Sequence, residues 1–243
     1  MESRHPYGMN PTEQCIEEVV KTVQKIHKEC PETTCKSRAE CCKFQSPNMY
    51  YNEFLNLRRN YVEKMSKEER LELTIACIRL YLYDESVSKP CVFLKDHMCS
   101  AYEFRQIKCR LYGLLPEPLY KRIVNEVSKE QREKKENLPL CQQCPHVKIK
   151  PEFAKKYPNN MIPETKIRAL EKRMRLLDKK LGMPKEIQEK GFGFLTYHDW
   201  HLMFELGESW MESWTKLRQK MTSEQKERMI ELLKKELIKR ETV

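Results

Sequence analysis

Eleven cysteines in a chain of 243 residues are the feature that most limits how this protein can fold. An odd number of thiols does not fit a closed set of disulfides, and eleven are more than a core uses as small apolar filler. Residues 1–6 lack the apolar stretch of a secretory signal, so we expect a reducing compartment, the cytoplasm. Metal ligation is the remaining explanation for most of these thiols.

The bulk composition predicts a folded, very polar chain. Hydrophobic residues make up 40% and charged residues 34%, and only 6 residues are glycine. The scarcity of glycine argues against a fold rich in tight turns. No window approaches the roughly 18 apolar residues that a membrane helix needs, so we expect no membrane span.

Apolar residues at helical spacing predict several helices. One runs from Pro11 to Cys30, and others begin at the capping boxes Ser66–Glu69 and Thr222–Gln225 and at the prolines Pro116 and Pro163. Short β segments are expected at residues 91–94 and 147–149. We therefore predict a mainly α fold in which irregular, cysteine-rich, metal-binding segments are embedded in a helical domain.

The chain divides by composition near residue 150. We expect a cysteine-cluster metal-binding domain at residues 1–150 and a helical C-terminal region at 151–243, aromatic-rich in its middle. Residues 146–190 hold 13 Lys and Arg against 6 Asp and Glu. Such a basic run can bind nucleic acid or an acidic partner, but more often it is the solvated side of helices.

Nine of the cysteines are candidate metal ligands, in two clusters. The first cluster is Cys30-x4-Cys35-x5-Cys41-Cys42, and the second is Cys91-x7-Cys99-x9-Cys109 followed by Cys141-x2-Cys144. A zinc ion or a cubane iron–sulfur cluster takes four ligands, so nine is one more than two sites use. Cys15 is set aside, and Cys77 is expected in the core because it lies inside an apolar helix.

The adjacent pair Cys41-Cys42 and the irregular spacings favour an iron–sulfur centre. Neighbouring side chains diverge, so consecutive cysteines serve two metal atoms more easily than one tetrahedral ion. We expect one or two [4Fe–4S] clusters, with zinc as the alternative. Arg105 and Arg110 beside the second cluster could offset its negative charge, or could be ordinary surface cations.

Residues 91–113 resemble the signature of the YkgJ-like cysteine-cluster family. The shared residues are Cys91-x-Phe93-Leu94, then Cys99-x2-Tyr102-x2-Arg105-x3-Cys109-Arg110. Two features differ: the family's first motif is CxxCxxCC, which is more closely spaced, and the family has proline where this chain has Gln106. The resemblance implies chelation of zinc or iron. Some relatives are lysine methylases whose motif is linked to an iron–sulfur centre.

A second unusual stretch surrounds two histidines in the C-terminal region. His198 and His201 are expected on one face of a helix that begins at a capping box, Thr196-x-x-Asp199. Together they could bind a metal, but we expect ordinary polar positions, with the aromatic residues around them forming a core. Phosphate-binding loops, dinucleotide fingerprints and hydrolase motifs are missing from the sequence.

These observations leave three functions open. The chain could be a metal-binding protein, preferably iron–sulfur, that acts in redox chemistry, in sensing or as an accessory or maturation factor for a protein partner. It could instead be a cluster-dependent, protein-modifying enzyme such as a methylase. A third alternative is a zinc-stabilised protein that binds nucleic acid or a protein. Because no substrate-binding motif is visible, the first is preferred.

Overall fold

The computed structural model describes residues 5–34, 47–83, 90–119, 147–189 and 194–242. Helices hold 69% of these residues, which confirms the mainly α fold. Within the same residues, no helix is both long and apolar enough to cross a bilayer.

The main α-helices follow one another along the chain with few strands between them. In chain order they are α1 (Glu13–Lys28), α2 (Tyr51–Asn60), α3 (Lys67–Leu82), α4 (Ile107–Leu111), α5 (Pro151–Ala154), α6 (Glu164–Lys180), α7 (Lys185–Glu189), α8 (Tyr197–Leu206), α9 (Glu208–Leu217) and α10 (Ser223–Thr242). Single 3-10 turns lie at Pro6–Gly8, Val62–Lys64, Tyr102–Phe104, Pro158–Asn160 and Arg218–Lys220.

Two small antiparallel sheets accompany the helices. Strand β1 (Asn48–Tyr50) pairs with β4 (Phe194–Thr196), with Asn48 opposite Thr196. Strands β2 (Leu94–Lys95) and β3 (Met98–Cys99) form a hairpin in which Leu94 lies opposite Cys99. The two turn residues between β2 and β3 have φ values of 47° and 63°, the left-handed pair that a tight hairpin requires.

The expected β segments are therefore only partly strands. Of residues 91–94, Leu94 alone belongs to a strand, and of residues 147–149, Ile149 makes an isolated bridge to Thr33. The predicted helix after Pro116 lies mostly outside the described residues.

Helix boundaries agree with the local signals in the sequence. Ser66, Thr196 and Thr222 each accept a hydrogen bond from the backbone N–H three residues later, and the side chain at that position bonds back. Helix α6 ends before Gly182, whose φ of +90° is easily adopted only by glycine. The predicted capping boxes are thus confirmed.

A single group of buried apolar side chains draws on both halves of the chain. Helix α1 packs on α2 and α6, while α3 packs on α8 and α10. The indole Nε1 of Trp200 donates to the carbonyl of Met49 at 3.1 Å, which joins α8 to β1. Contacts of this kind cross residue 150, and the division into two domains there stays a prediction.

Candidate metal centre

Four of the nine candidate ligands lie in the described residues. Cys30 is buried just after α1, Cys109 is half-buried on α4, Cys91 lies three residues before β2, and Cys99 is the last residue of β3. The other five lie outside the described residues: Cys35, Cys41 and Cys42 in the first cysteine segment (residues 35–46), and Cys141 and Cys144 in the second cysteine segment (residues 120–146).

A buried carboxylate, Glu53, joins the three elements that surround Cys30 and Cys109. Its Oε1 accepts from His27 Nε2 of α1 at 3.0 Å and from the backbone N–H of Ile107 in α4 at 2.6 Å. Its Oε2 accepts from the N–H of Tyr50 at 3.3 Å. Burial lowers the pKa of His27, so the ring is neutral at pH 7 and donates through Nε2–H. Glu53 therefore fixes the end of α1 against the start of α4.

The guanidinium of Arg110 lies close to the thiols of both Cys30 and Cys109. Burial is the largest cause that lowers the pKa of Arg110, and the positive charge of Arg105 lowers it further. Cys30, Glu53 and Cys109 each raise it. Burial raises the pKa of the Cys30 thiol to about 11, although the charge of Arg110 opposes this shift. Without a metal, the Cys30 thiol is therefore protonated at neutral pH.

Backbone carbonyls hold Arg110 in this position. Its Nε donates to the carbonyl of Arg105 at 2.7 Å, and Nη2 donates to the carbonyl of Glu103. The guanidinium of Arg105 in turn lies 3.5 Å from the centre of the Tyr102 ring. Both arginines of the predicted motif therefore have fixed contacts, and the positive charge of Arg110 acts on two candidate ligands, Cys30 and Cys109.

Gln106 links Cys109 to the end of the first cysteine segment. Its side-chain Nε2 donates to the carbonyl of Pro47 at 2.9 Å and to Cys109 Sγ at 3.7 Å. The side chain is only 3% exposed, and its Oε1 has no hydrogen-bond partner among the described residues. Pro47 is the first described residue after Cys41 and Cys42, so this amide joins the chain that carries them to Cys109.

A short antiparallel contact joins the residues just before the first cysteine segment to the residues just after the second. The N–H of Thr34 donates to the carbonyl of Lys148 at 2.7 Å, and the N–H of Lys150 donates to the carbonyl of Glu32 at 2.9 Å. The hydrogen bond from Lys150 holds the pKa of Glu32 below its usual value, and the charge of Arg110 contributes to this shift. Thr34 directly precedes Cys35 and lies four residues after Cys30, so this contact fixes the chain that leads into the first cysteine segment.

Cys91 lies in a different environment from Cys30 and Cys109. Burial is the main cause that raises the pKa of the Cys77 thiol, and negative charge on Cys91 would raise it further. Cys91 also lines a groove of about 550 Å³ between α3 and α10. Cys77 itself is 0% exposed inside α3, as predicted for a core residue. Among the described candidate ligands, Cys30 and Cys109 thus interact with Arg110, and Cys91 interacts with Cys77.

The described residues hold no group of three or more His, Cys, Asp or Glu side chains suited to a metal ion. His201 is buried, and its two ring nitrogens join Thr74 Oγ1 at 2.8 Å and Tyr197 OH at 3.2 Å. His198 is also buried and joins Thr196 Oγ1 at 3.0 Å. Tyr197 and Trp200 are at most 1% exposed, as predicted for core residues, while Phe204, Trp210 and Trp214 are half-buried.

Several cations of the basic region are paired with carboxylates of α1 and the chain after it. Lys166 and Arg173 both bond Glu29, at 2.8 and 2.6 Å, and Lys180 bonds Glu18 at 2.7 Å. These pairs attach α6 to α1. Part of the local positive charge is therefore neutralised within the protein.

Comparisons with protein-family models, with curated proteins and with solved structures find no match to this chain.

Sequence reasoning missed Glu53 and His27, and it noted Gln106 only as a departure from the family pattern. Acidic residues are rarely buried, so residue type alone places Glu53 on the surface. Its sequence neighbours do hold a signal, because Glu53 is three residues after Tyr50, at the third position of α2, where a carboxylate can bond back to the residue before the helix.

Proposed function

We propose that this protein binds an iron–sulfur cluster through cysteine thiolates and acts in redox chemistry, in sensing or as an accessory factor for a protein partner. Cys30 and Cys109 would be ligands, together with thiols of the two cysteine segments. The proposal extends the resemblance of residues 91–113 to the YkgJ-like family. It includes a reducing compartment, the cytoplasm, where thiols stay available to metals.

The observation that carries this proposal is that described residues hold ends of both cysteine segments, and that Gln106 ties one of these ends to Cys109. Three of the four ends of the two cysteine segments are held by hydrogen bonds of described residues: Thr34 donates to the carbonyl of Lys148, Gln106 donates to that of Pro47, and Asn160 donates to that of Val147. All five candidate ligands outside the described residues are attached to these ends. Cys30, Cys109 and thiols attached to these ends would supply the four cysteine ligands of such a centre.

The chemistry of the place also fits such a centre. Thiolate ligands suit iron–sulfur clusters and zinc, and Arg110 supplies positive charge beside two of them. Because the Cys30 thiol is protonated without metal, binding must release its proton, and affinity should rise with pH. When bound, a cluster supplies one-electron redox chemistry, and the chain's own residues would hold it and balance its charge.

Analysis of iron, acid-labile sulfide and zinc in anaerobically purified protein tests the proposal. We expect near-equal iron and sulfide, about four of each for one cubane, with visible absorption that bleaches on reduction. Cys109→Ser should remove most of the iron. The matched control is Cys15→Ser, because the half-buried Cys15 thiol contacts only the carbonyl of Lys180, at 3.6 Å, among its described hydrogen bonds.

Two results would contradict the proposal. Colourless protein with stoichiometric zinc would replace the redox function by a structural one. Full iron content in the Cys109→Ser variant would remove the ligand assignment on which the proposal depends.

A further inference from the structure

Residues 5–9, which we call the strap, lie across helices that are distant from them in the sequence. His5 Nδ1 and the hydroxyl of Tyr51 in α2 are 2.6 Å apart. The backbone N–H of Tyr7 donates to Oε2 of Glu208 in α9 at 3.0 Å. A side-chain contact and a backbone hydrogen bond thus attach the strap to residues 46 and 201 positions further along the chain.

The strap covers aromatic side chains of α2 and α8. The ring of His5 packs edge-on against Phe204, with ring centres 5.8 Å apart, and the ring of Tyr7 packs edge-on against Trp200, at 6.2 Å. Tyr51 and Trp200 are 0% exposed with the strap in place. If the strap left this position, these aromatic rings would become accessible to solvent.

The backbone of the strap is strained at Tyr7. Its φ of 58° and ψ of 29° lie in the left-handed region, where the Cβ atom of an L-residue is crowded by the backbone. The contacts of Tyr7 with Glu208 and Trp200 hold it in this conformation. The strain therefore favours an open strap, and the contacts favour the closed one.

His5 has surroundings that oppose a positive charge on its ring. The charged groups that act on it are Arg58 and Arg59 of α2 and Glu13 of α1, and Glu13 is hydrogen-bonded to Arg59 at 2.6 Å. Burial keeps Tyr51 a neutral phenol by raising its pKa, and the contact with α8 is to an uncharged ring. Burial, followed by the charge of Arg59, lowers the pKa of His5 below its usual 6.5.

We propose that the strap is a pH-dependent cover, which stays closed on the aromatic side chains of α2 and α8 while His5 is neutral and opens when His5 gains a proton. In the open strap the ring lies in water and binds a proton more readily than in the closed strap. Acid therefore favours the open state, and its ratio to the closed state should rise by up to about tenfold between pH 7.5 and pH 5.5. This inference does not depend on the proposed metal centre.

Amide hydrogen exchange measures this ratio, because an amide exchanges mainly from the open state. The reporters are Tyr7 and Met9, whose N–H groups bond Glu208 and the carbonyl of Pro6. Rates are compared with those of an unfolded chain at the same pH. We expect the protection of both amides to fall by up to about tenfold from pH 7.5 to pH 5.5, while the amide of Val19, in the core of the fold, keeps its protection.

Two variants assign the effect to His5. In His5→Gln the side-chain amide can still bond the hydroxyl of Tyr51 but cannot gain a charge, so protection of the strap should be the same at both pH values. His97→Gln is the matched control, because His97 is exposed in the turn between β2 and β3. We expect this variant to behave like wild type.

Three results would overturn the proposal. Equal protection of the strap in wild type at both pH values would show that its closure does not depend on a proton. A loss of the same size in His5→Gln would show that another group is responsible. An equal loss at Val19 would show that acid opens the whole fold and that the strap does not open by itself.

Discussion

Replacing Glu53 by leucine should destabilise the fold strongly, because three buried donors would lose their acceptor. The donors are the N–H groups of Ile107 and Tyr50 and the Nε2–H of His27, at 2.6, 3.3 and 3.0 Å. An unpaired buried donor costs about 1–3 kcal/mol, and the longest of the three bonds lies at the low end. The sum is about 3–7 kcal/mol, a large part of the 5–15 kcal/mol typical of a folded domain.

Glu53→Gln separates the hydrogen bonds from the shape of the side chain. With the amide oxygen in the place of Oε1, the hydrogen bonds from Ile107 and His27 are kept. The amide NH2 group then takes the place of Oε2 and faces the N–H of Tyr50, so two donors meet and that hydrogen bond is lost. We expect a loss of about 1 kcal/mol, much smaller than that of the leucine variant.

Urea unfolding followed by far-ultraviolet circular dichroism measures both losses. Glu17→Leu is the control, since Glu17 is exposed on α1 and its ion pair with Lys21, at 3.6 Å, contributes at most about 0.5 kcal/mol. If Glu53→Leu cost no more than Glu17→Leu, Glu53 would not be what joins α1 to α4. If Glu53→Gln cost as much as Glu53→Leu, the loss could not be assigned to the bonds from Ile107 and His27.

Three further predictions concern buried groups elsewhere in the fold. Cys77→Ala should keep full iron content and lose about 1 kcal/mol of stability in urea, through lost packing alone; loss of iron would show that Cys77 is a ligand. Burial raises the pKa of Asp178 from 3.8 to about 7. Between these two pH values the native state binds a proton that the unfolded state releases. The free energy of unfolding should therefore fall by up to about 4 kcal/mol as pH rises from 4 to 7. Asp178→Asn should remove this pH dependence. If the free energies of unfolding of wild type and variant differed by the same amount at pH 5 and at pH 8, the prediction would be contradicted. Burial lowers the pKa of His201 from 6.5 to about 4, so the free energy of unfolding should fall by up to about 3 kcal/mol as pH drops from 6.5 to 4. If a His201→Gln variant lost as much stability as wild type over this pH range, the prediction would be refuted.

Local features of the fold could be predicted because their causes act within one or two turns of chain. The apolar spacing of α1 and the capping box at Ser66 involve residues at most four positions apart, and both are confirmed. The burial of Cys77 followed from its place on an apolar helix. Helix α2 was not predicted, because its buried face includes Asn52 and Glu53, which residue type assigns to solvent.

The geometry around the candidate centre depends on partners that are far apart in sequence. Glu53 bonds Ile107 across 54 positions, and Asn52 bonds Asp178 across 126. Cysteine spacing identifies candidate ligands, because thiolate chemistry is local to each residue. Which thiols lie near Arg110 depends on how α1, α2 and α4 pack, and no periodic pattern encodes that arrangement.

The antiparallel contact between Thr34 and Lys148 has a consequence for how the protein is made. The two residues are 114 positions apart, so at about 5–20 residues per second a ribosome needs roughly 6–20 s to synthesise the chain between them. Thr34, and Cys30 before it, are therefore synthesised well before Lys148, so this contact forms only late in synthesis.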